Sequence, residues 1–324
     1  MSERPIPEMS VVLATPDGVD VIRRTLAYLA RQTVSSSLEV VIVAPSQAGI
    51  VLDDEWRSAF AGVQVVELES FRSMGQANAA GVRSATAPIV ALAEDHCFPE
   101  PEWAQHLVEA HRGPWDAVGP SVRNANPRSA VSWADLFIGY GPWLWPTEPR
   151  EVEFLPGHNT SYKRDVLLRY QERLDALMEA ETLLHWEMRR GGSRLRLCPS
   201  ARVAHTNFSR WRSFLPAQYY NGRFFAGARA SRMPLWKRVV FVGGSPAIPL
   251  LRLWRIWRGI GSAELRRRFL ACLPALGIGL GTDGIGQLVG YAAGIGQAAE
   301  QVPRFEFHRM RHIRDDDRRD LSAG

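Results

Sequence analysis

In this chain of 324 residues, the side chains best placed for chemistry are Glu94-Asp95-His96, three ligand-type residues in a row directly after the apolar run Ile89–Ala93. Carboxylate oxygens suit Mg2+ or Mn2+, and an added imidazole moves the preference toward Mn2+ and later metals. A cation held there would bridge two phosphates. The same three residues also suit a solvated turn at a strand end. Other metal chemistry finds little support, because Cys97, Cys198 and Cys272 are too few and too scattered for a CxxC site or a disulfide framework.

The elements that position this cluster follow from hydrophobic spacing. Residues 9–14 (MSVVLA) and 39–44 (EVVIVA) read as strands, with Val21–Arg31 between them carrying Ile22, Leu26 and Leu29 at helical spacing. A third strand over Gly62–Leu68, a helix over Ser73–Ser84 and a fourth strand over Ile89–Ala93 continue the alternation. The pattern predicts a largely parallel sheet covered by helices, which binds its ligand beyond the carboxyl ends of the strands. A helix over Glu102–His111, a strand over Trp115–Pro120, helices over Lys163–Leu177 and Glu181–Arg190, and a strand over Arg194–Leu197 follow. The Gly-, Pro- and Trp-rich stretch 139–157 reads as a long ordered loop, with Trp143 and Trp145 exposed to meet an acceptor or a membrane interface.

Beyond His205 the character changes. Residues 1–205 hold 20 basic and 26 acidic side chains, residues 206–271 hold 13 against 1, and the remainder 6 against 7. Val239–Leu251, Phe269–Thr282 and Gly284–Ala299 are uncharged runs of 13, 14 and 16 residues, each short of the roughly 20 that a simple bilayer span needs. Arginines and tryptophans beside such runs suit an anionic surface. A membrane explains the apolar runs as well as the charge, whereas nucleic acid explains only the charge. A buried Gly/Ala-rich hairpin is the other reading of the runs. Met1–Pro7 has no apolar core of a secretory signal, and the last ten residues (DDDRRDLSAG) read as a solvated tail.

The order of the pieces over roughly residues 9–208 resembles glycosyltransferase family 2, inverting sugar transferases with a GT-A fold. The opening SVVLATPDGVDVIRRTLAYLARQT is similar to the family's first strand and helix, which places Thr15 and Pro16 at the donor nucleotide. Gly75-Gln76-Ala77-Asn78 through Gly81 resembles the helix start that faces the nucleotide. Glu94-Asp95-His96, followed by Pro99 and Trp103, falls where the family places its metal motif, and Gly157-His158-Asn159 is the next landmark. Glu179-Ala180-Glu181 with Trp186-Glu187-Met188-Arg189-Arg190-Gly191-Gly192 resembles the acidic motif and the helix bearing the catalytic base.

The resemblance implies a GT-A, Rossmann-like fold over 1–208, a basic, Trp-rich, membrane-associated helical segment over 209–302 and a charged tail over 303–324. It implies Glu181 as base, Thr15, Pro16, Gly75, Asn78, Glu94 and Asp95 on the donor, and Asp95, His96 and His205 on a divalent Mn2+ or Mg2+ ion. His158, Asn159, Trp186 and Arg223 fall to the acceptor or substrate, with Arg210 a second arginine within reach of phosphates. Each has a plainer alternative: a helix-start acid for Glu181, a strand-end imidazole for His205, a backbone turn for His158 and Asn159, packing for Trp186, and surface charge for the arginines. The donor would be a UDP-, GDP- or dTDP-sugar and the acceptor a glycan or lipid-linked sugar, at the cytoplasmic membrane face, with no nucleic-acid partner. The second strand ends in Ala44-Pro45-Ser46 where the family has paired aspartates, and Gln218-Tyr219-Tyr220-Asn221 with Arg223 does not match the Q-x-x-R-W motif of processive synthases. A single-addition enzyme is expected; a degenerate sugar-nucleotide-binding domain and a nucleotidyltransferase are the alternatives.

Overall fold

The computed structural model describes residues 6–69 and 71–323, so residues 1–5 of the Met1–Pro7 stretch lie outside the described residues. The described strands are β1 (Met9–Ala14), β2 (Leu38–Ala44), β3 (Gly62–Glu67), β4 (Ile89–Ala93), β5 (Cys97–Pro99), β6 (Ala117–Asn124), β7 (Arg150–Val152), β8 (Ser161–Lys163) and β9 (Leu195–His205). They form one sheet in the order β3-β2-β1-β4-β8-β6-β9-β5, with β7 paired to β9. The first four strands are parallel; β1, β2 and β4 are fully buried, as a sheet covered on both faces requires, and the edge strand β3 is half-buried.

Helices α1 (Val19–Ala30), α2 (Asp54–Ala59) and α3 (Met74–Ser84) fill the crossovers between these strands. Helix α1 buries Ile22, Leu26 and Leu29. Ser73 caps α3 by accepting from the Gln76 N–H at 3.2 Å, and Gly81 lets α3 settle onto β1, because a Cβ there would collide with Val12.

The sheet departs from the largely parallel expectation at β8, which runs antiparallel to both β4 and β6, with Val90 opposite Tyr162 and Ala117 opposite the same tyrosine. Strand β8 enters from a turn beside the end of β4 instead of from a crossover helix. The Leu92 N–H donates to Thr160 O at 3.1 Å and the Asn159 N–H to Leu92 O at 2.5 Å. After α4 (Trp103–His111) and α5 (Ala130–Tyr140), the helix expected over Lys163–Leu177 divides into α6 (Arg164–Leu168), a 3-10 turn over Gln171–Arg173, and α7 (Leu174–Met178). Gln171 sits at φ 47, outside the helical region, and its carbonyl accepts from Arg83 at 3.1 Å. Helix α8 (Glu181–Arg190) follows as expected.

Two compact units emerge, residues 1–123 with 147–204 and residues 124–146 with 205–324. The second comprises α5, α9 (Trp211–Ala230), α10 (Leu235–Gly244), α11 (Ile248–Gly259), α12 (Ala263–Ala293), α13 (Ala298–Glu306) and α14 (Asp315–Ala323). Its centre is α12, packed along α9 at glycines: a Cβ at Gly286 would strike the Tyr219 carbonyl, and one at Gly290 the Arg223 carbonyl. Asp135 of α5 accepts from the Phe208 N–H and from Gln218 Nε2, both at 2.8 Å. The segments Leu235–Gly259 and Ala263–Ala293 are long and apolar enough to cross a membrane, by length and composition.

Two expectations change in this unit. The last residues form α14 in place of a solvated tail, with Asp317 buried and accepting from Asn126 at 3.4 Å. In the loop at 139–157, Trp143 is buried beside Tyr140 and only Trp145 is exposed, because a 3-10 turn over Gly141–Trp143 folds the first tryptophan inward.

Candidate active site

The carboxyl end of β4 carries Glu94-Asp95-His96, and the structure holds it from two sides. Thr25 of α1 donates its hydroxyl to the Glu94 carbonyl at 3.0 Å, and the turn containing Asn159 pairs with Leu92. Asn159 adopts φ 58, the left-handed conformation that asparagine tolerates better than most residues, and this reversal carries His158 toward Glu94. His158 Nδ1 lies 3.3 Å from Glu94 Oε1, and its Nε2 lies 3.7 Å from Glu181 Oε1. On the other side, His96 Nε2 lies 3.4 Å from the same Glu94 oxygen. A continuous line of ionisable groups, His96, Glu94, His158 and Glu181, therefore joins the loop after β4 to the first residue of α8.

Gly157 makes the approach of Glu181 possible: a Cβ at this position would land on the Glu181 carboxyl group. Its neighbour Glu179 is differently employed. Its Oε1 accepts a short hydrogen bond from the Ser73 hydroxyl, and Gly75 packs against its backbone so closely that no Cβ would fit. Burial raises the Glu179 carboxyl above the usual carboxylate range, opposed by the Ser73 bond and reinforced by the charge of Glu181. Glu179 thus ties α7 to the start of α3, whereas Glu181 points into the line with His158.

A donor set for a cation is present. In the first unit Glu94 and His96 are buried, with His96 Nε2 3.4 Å from Glu94 Oε1; in the second unit His205, the last residue of β9, is buried. The flanking bonds suit metal ligation: His96 Nδ1 lies 2.5 Å from Asp95 Oδ1, and His205 Nδ1 lies 2.9 Å from Asn207 Oδ1. Each acceptor holds the imidazole with its proton on Nδ1 and its lone pair on Nε2, the arrangement that orients metal-bound histidines. A carboxylate with a neutral imidazole beside it fits Mn2+ and later metals better than Mg2+. Asp95 is the outer partner of His96 in this geometry.

The remaining expected residues fall as follows. Thr15 is buried at the end of β1, its hydroxyl donating to Gly18 O at 2.8 Å, with Pro16 half-buried after it. Asn78 is buried in α3, and neither atom of its amide has a hydrogen-bond partner. Trp186 is half-buried on α8. Arg223 of α9 donates Nε to Gly294 O at 3.2 Å, and Arg210 pairs with Asp315 at 2.6 Å, both within the second unit.

One residue with a clear place beside the site, His185, escaped the sequence reading. His185, one helical turn after Glu181, accepts or donates to the Tyr162 hydroxyl through Nε2 at 2.9 Å, and its Nδ1 accepts from the Leu155 N–H at 3.4 Å. This buried pair fastens α8 to β8. Burial lowers the His185 pKa to about 3 and raises that of Tyr162, so both are neutral. The signal available was the i, i+4 spacing of Glu181 and His185 on one helix face.

A mixed sheet with three parallel crossovers, an acidic and imidazole cluster at the end of its fourth strand and an acid at the start of a later helix define a glycosyltransferase of the GT-A fold. Residues 10–170 match the family Glycosyl transferase family 2. Among solved structures, the chain is similar to the mannosyltransferase PcManGT from Pyrobaculum calidifontis in complex with GDP-Man and Mn2+, with 17% identity, 98% of this chain and 84% of that chain covered, and a TM-score of 0.47. It is also similar to S. aureus TarS, with 14% identity, coverage of 87% and 55%, and a TM-score of 0.44. TarS 1-349 in complex with UDP gives 15% identity, coverage of 87% and 90%, and a TM-score of 0.45. No curated protein matches the chain.

Proposed function

We propose that the chain transfers a single sugar, with inversion, from a nucleotide-sugar donor to an acceptor hydroxyl, and that Glu181 is the base. The observation that supports this reading is the position of His158 between two acids, 3.3 Å from Glu94 Oε1 and 3.7 Å from Glu181 Oε1, which sets Glu181 in line with the loop after β4. The acceptor oxygen attacks the anomeric carbon and forms the new glycosidic bond. The bond from that carbon to the donor phosphate breaks, and the electron pair leaves with the nucleoside diphosphate. The acceptor proton passes to the Glu181 carboxylate, which is worth about 10²–10⁴-fold in rate when such a base is well placed. His158, with Nε2 3.7 Å from Glu181 Oε1, orients the carboxylate.

A divalent ion on Glu94, His96 and His205 would neutralise charge developing on the leaving diphosphate. Thr15, Pro16, Gly75, Asn78 and Asp95 line the donor side in this reading, with Asn78 supplying an uncommitted amide. His158, Asn159, Trp186 and Arg223 are assigned to the acceptor or substrate. Residues 1–208 act as the catalytic domain, 209–302 as the membrane-associated region and 303–324 as the charged tail. The acceptor is then a glycan or lipid-linked sugar at the cytoplasmic membrane face, where soluble sugar nucleotides are available.

The experiment is donor hydrolysis and binding across UDP-, GDP- and dTDP-sugars with Mn2+, Mg2+ or chelator, on wild type and Glu181→Gln. Metal-dependent turnover that is lost in Glu181→Gln while donor binding persists is the expected result. Turnover that survives Glu181→Gln removes Glu181 as the base, and absence of binding to every donor overturns the reading.

A further inference from the structure

The second unit presents an apolar face that inverts the usual pattern of a water-soluble helix. In α10, Leu235, Trp236, Val239 and Val240 share one side at i, i+1, i+4 and i+5, and all are exposed, Trp236 at 64%. In α11, Leu250, Leu251, Trp254 and Trp257 share one side at i, i+1, i+4 and i+7, with Leu250 70% exposed. Leu270, Leu273, Ile278 and Ile285 continue the outward apolar face on α12. A contiguous surface of this size on a folded unit marks a contact with something apolar.

The rim of this face states the charge of what it meets. Residues 206–271 contain 13 basic side chains and a single acid, Glu264. Three of the basic groups lie over tryptophans: Lys237 over Trp236 at 5.3 Å within α10, Arg258 over Trp254 at 4.9 Å within α11, and Arg266 of α12 over Trp257 of α11 at 5.4 Å. Tryptophan beside a cation suits the level of lipid headgroups, where the ring is half in hydrocarbon and the charge meets phosphate.

Two further observations set the direction of insertion. Between Lys237-Arg238 and Arg252 the uncharged run Val239–Leu251 has 13 residues, about 20 Å of helix against a hydrocarbon thickness of about 30 Å, and a 3-10 turn over Ser245–Ala247 breaks it. Helix α12 is committed on its other side to α9, which carries Gln218, Asn221, Arg223 and Arg229, and its own Asp283 is buried with Arg252 at 2.5 Å and Gln287 at 2.7 Å. A crossing by α12 would drag this polar partner into hydrocarbon, at a cost of several kcal/mol for each unsatisfied polar group.

We infer that α10, α11 and the outer face of α12 bind an anionic bilayer surface in plane, inserting their tryptophans to headgroup depth without spanning it. The inference rests on the membrane placement proposed above and not on the sugar-transfer chemistry, so donor hydrolysis in solution tests that chemistry separately.

The test uses the full chain with vesicles of phosphatidylcholine alone or mixed with phosphatidylglycerol. Binding at least tenfold tighter to the mixed vesicles, weakened in 0.5 M salt, is expected, and the Trp236→Ala/Trp254→Ala variant should lose at least tenfold with its fold unchanged by circular dichroism. Arg255→Gln/Arg258→Gln should reduce the preference for phosphatidylglycerol while leaving residual binding to neutral vesicles as it was. Lipids brominated at the 6,7 positions should quench the tryptophan fluorescence lost in Trp236→Phe/Trp254→Phe more than lipids brominated at 11,12. Equal or stronger quenching from the deeper bromines would overturn in-plane insertion, and equal binding to both vesicle types would remove the headgroup contribution. No vesicle binding by a chain that scatters light as a dimer would make this face a contact between copies.

Discussion

A methyl group at Gly157 would occupy the space now held by the Glu181 carboxyl, which makes this glycine the most direct structural handle on the proposed base. Gly157→Ala is expected to lower kcat by about 10²-fold, the penalty for misplacing a reacting group by about 1 Å, because the flexible end of Glu181 can swing away. Thermal unfolding should shift little, since the colliding atoms belong to a mobile side chain; a large drop in melting temperature with unchanged kcat would show that Glu181 does not work from this position. Asp95→Asn addresses the other end of the line. It replaces the charged acceptor on His96 Nδ1 and should weaken Mn2+ binding by about 10- to 100-fold, read from free Mn2+ by electron paramagnetic resonance. At this scale the sequence exposed residue types and hid partners. Glu94, Asp95 and His96 could be singled out because they are consecutive, but that Glu94 meets His96 Nε2 while Asp95 meets its Nδ1 depends on the fold of the loop. The difference between Glu179 and Glu181 also lay in tertiary contacts, with Ser73 and Gly75 claiming the first.

Among the elements, α8 is the one whose placement decides the site, and its anchor is acid-labile. His185 is neutral in the folded chain with its pKa lowered to about 3, whereas in the unfolded chain it titrates near the ordinary value of about 6.5. The native state therefore gains stability from His185 above about pH 6.5 and loses it as pH falls toward 3, at about 1.4 kcal/mol per pH unit. From pH 7 to pH 5 this contributes about 2 kcal/mol of lost stability. Urea unfolding should show that increment in wild type and lack it in His185→Gln, which keeps polar atoms for Tyr162 and Leu155; an unchanged pH dependence would mean that the pair does not fasten α8. The strands β1, β2 and β4 were legible because a sheet buried on both faces needs apolar runs, and the half-buried edge strand β3 through its β-branched valines. Strand β8 was not, since three residues with Tyr162 at their centre carry no periodicity, and their pairing comes from the reversal at Asn159. The helix over Lys163–Leu177 looked continuous by spacing, but side-chain contacts from Arg83 and Arg164 to the ends of other elements favour a break at Gln171.

Over the whole molecule, the two units solve different problems with different materials. The first is an acidic α/β unit closed by β-branched strands, and its polar groups converge on the ends of those strands. The second is basic and helical, built on glycine contacts that bring α12 against α9, and it holds a charged pair, Asp283 buried and Arg252 half-buried, that its apolar composition did not announce. Arg252 donates to Asp283 Oδ2 at 2.5 Å and to Ile138 O at 2.9 Å, so a single guanidinium ties α11 to both α12 and α5. Removing it leaves the Asp283 carboxylate buried with Gln287 as its remaining bonded side chain. Loss of one partner from such a pair costs about 3–5 kcal/mol, because the surviving charge keeps its desolvation penalty. Arg252→Ala is therefore expected to lower the stability of the second unit by that amount, measured by urea unfolding followed through tryptophan fluorescence. Asp283→Asn in the same background should restore part of the loss, since a neutral amide needs no counter-charge. If both single and double variants unfold within about 1 kcal/mol of wild type, the pair is not what holds these helices together, and the glycine contacts between α9 and α12 carry the unit alone.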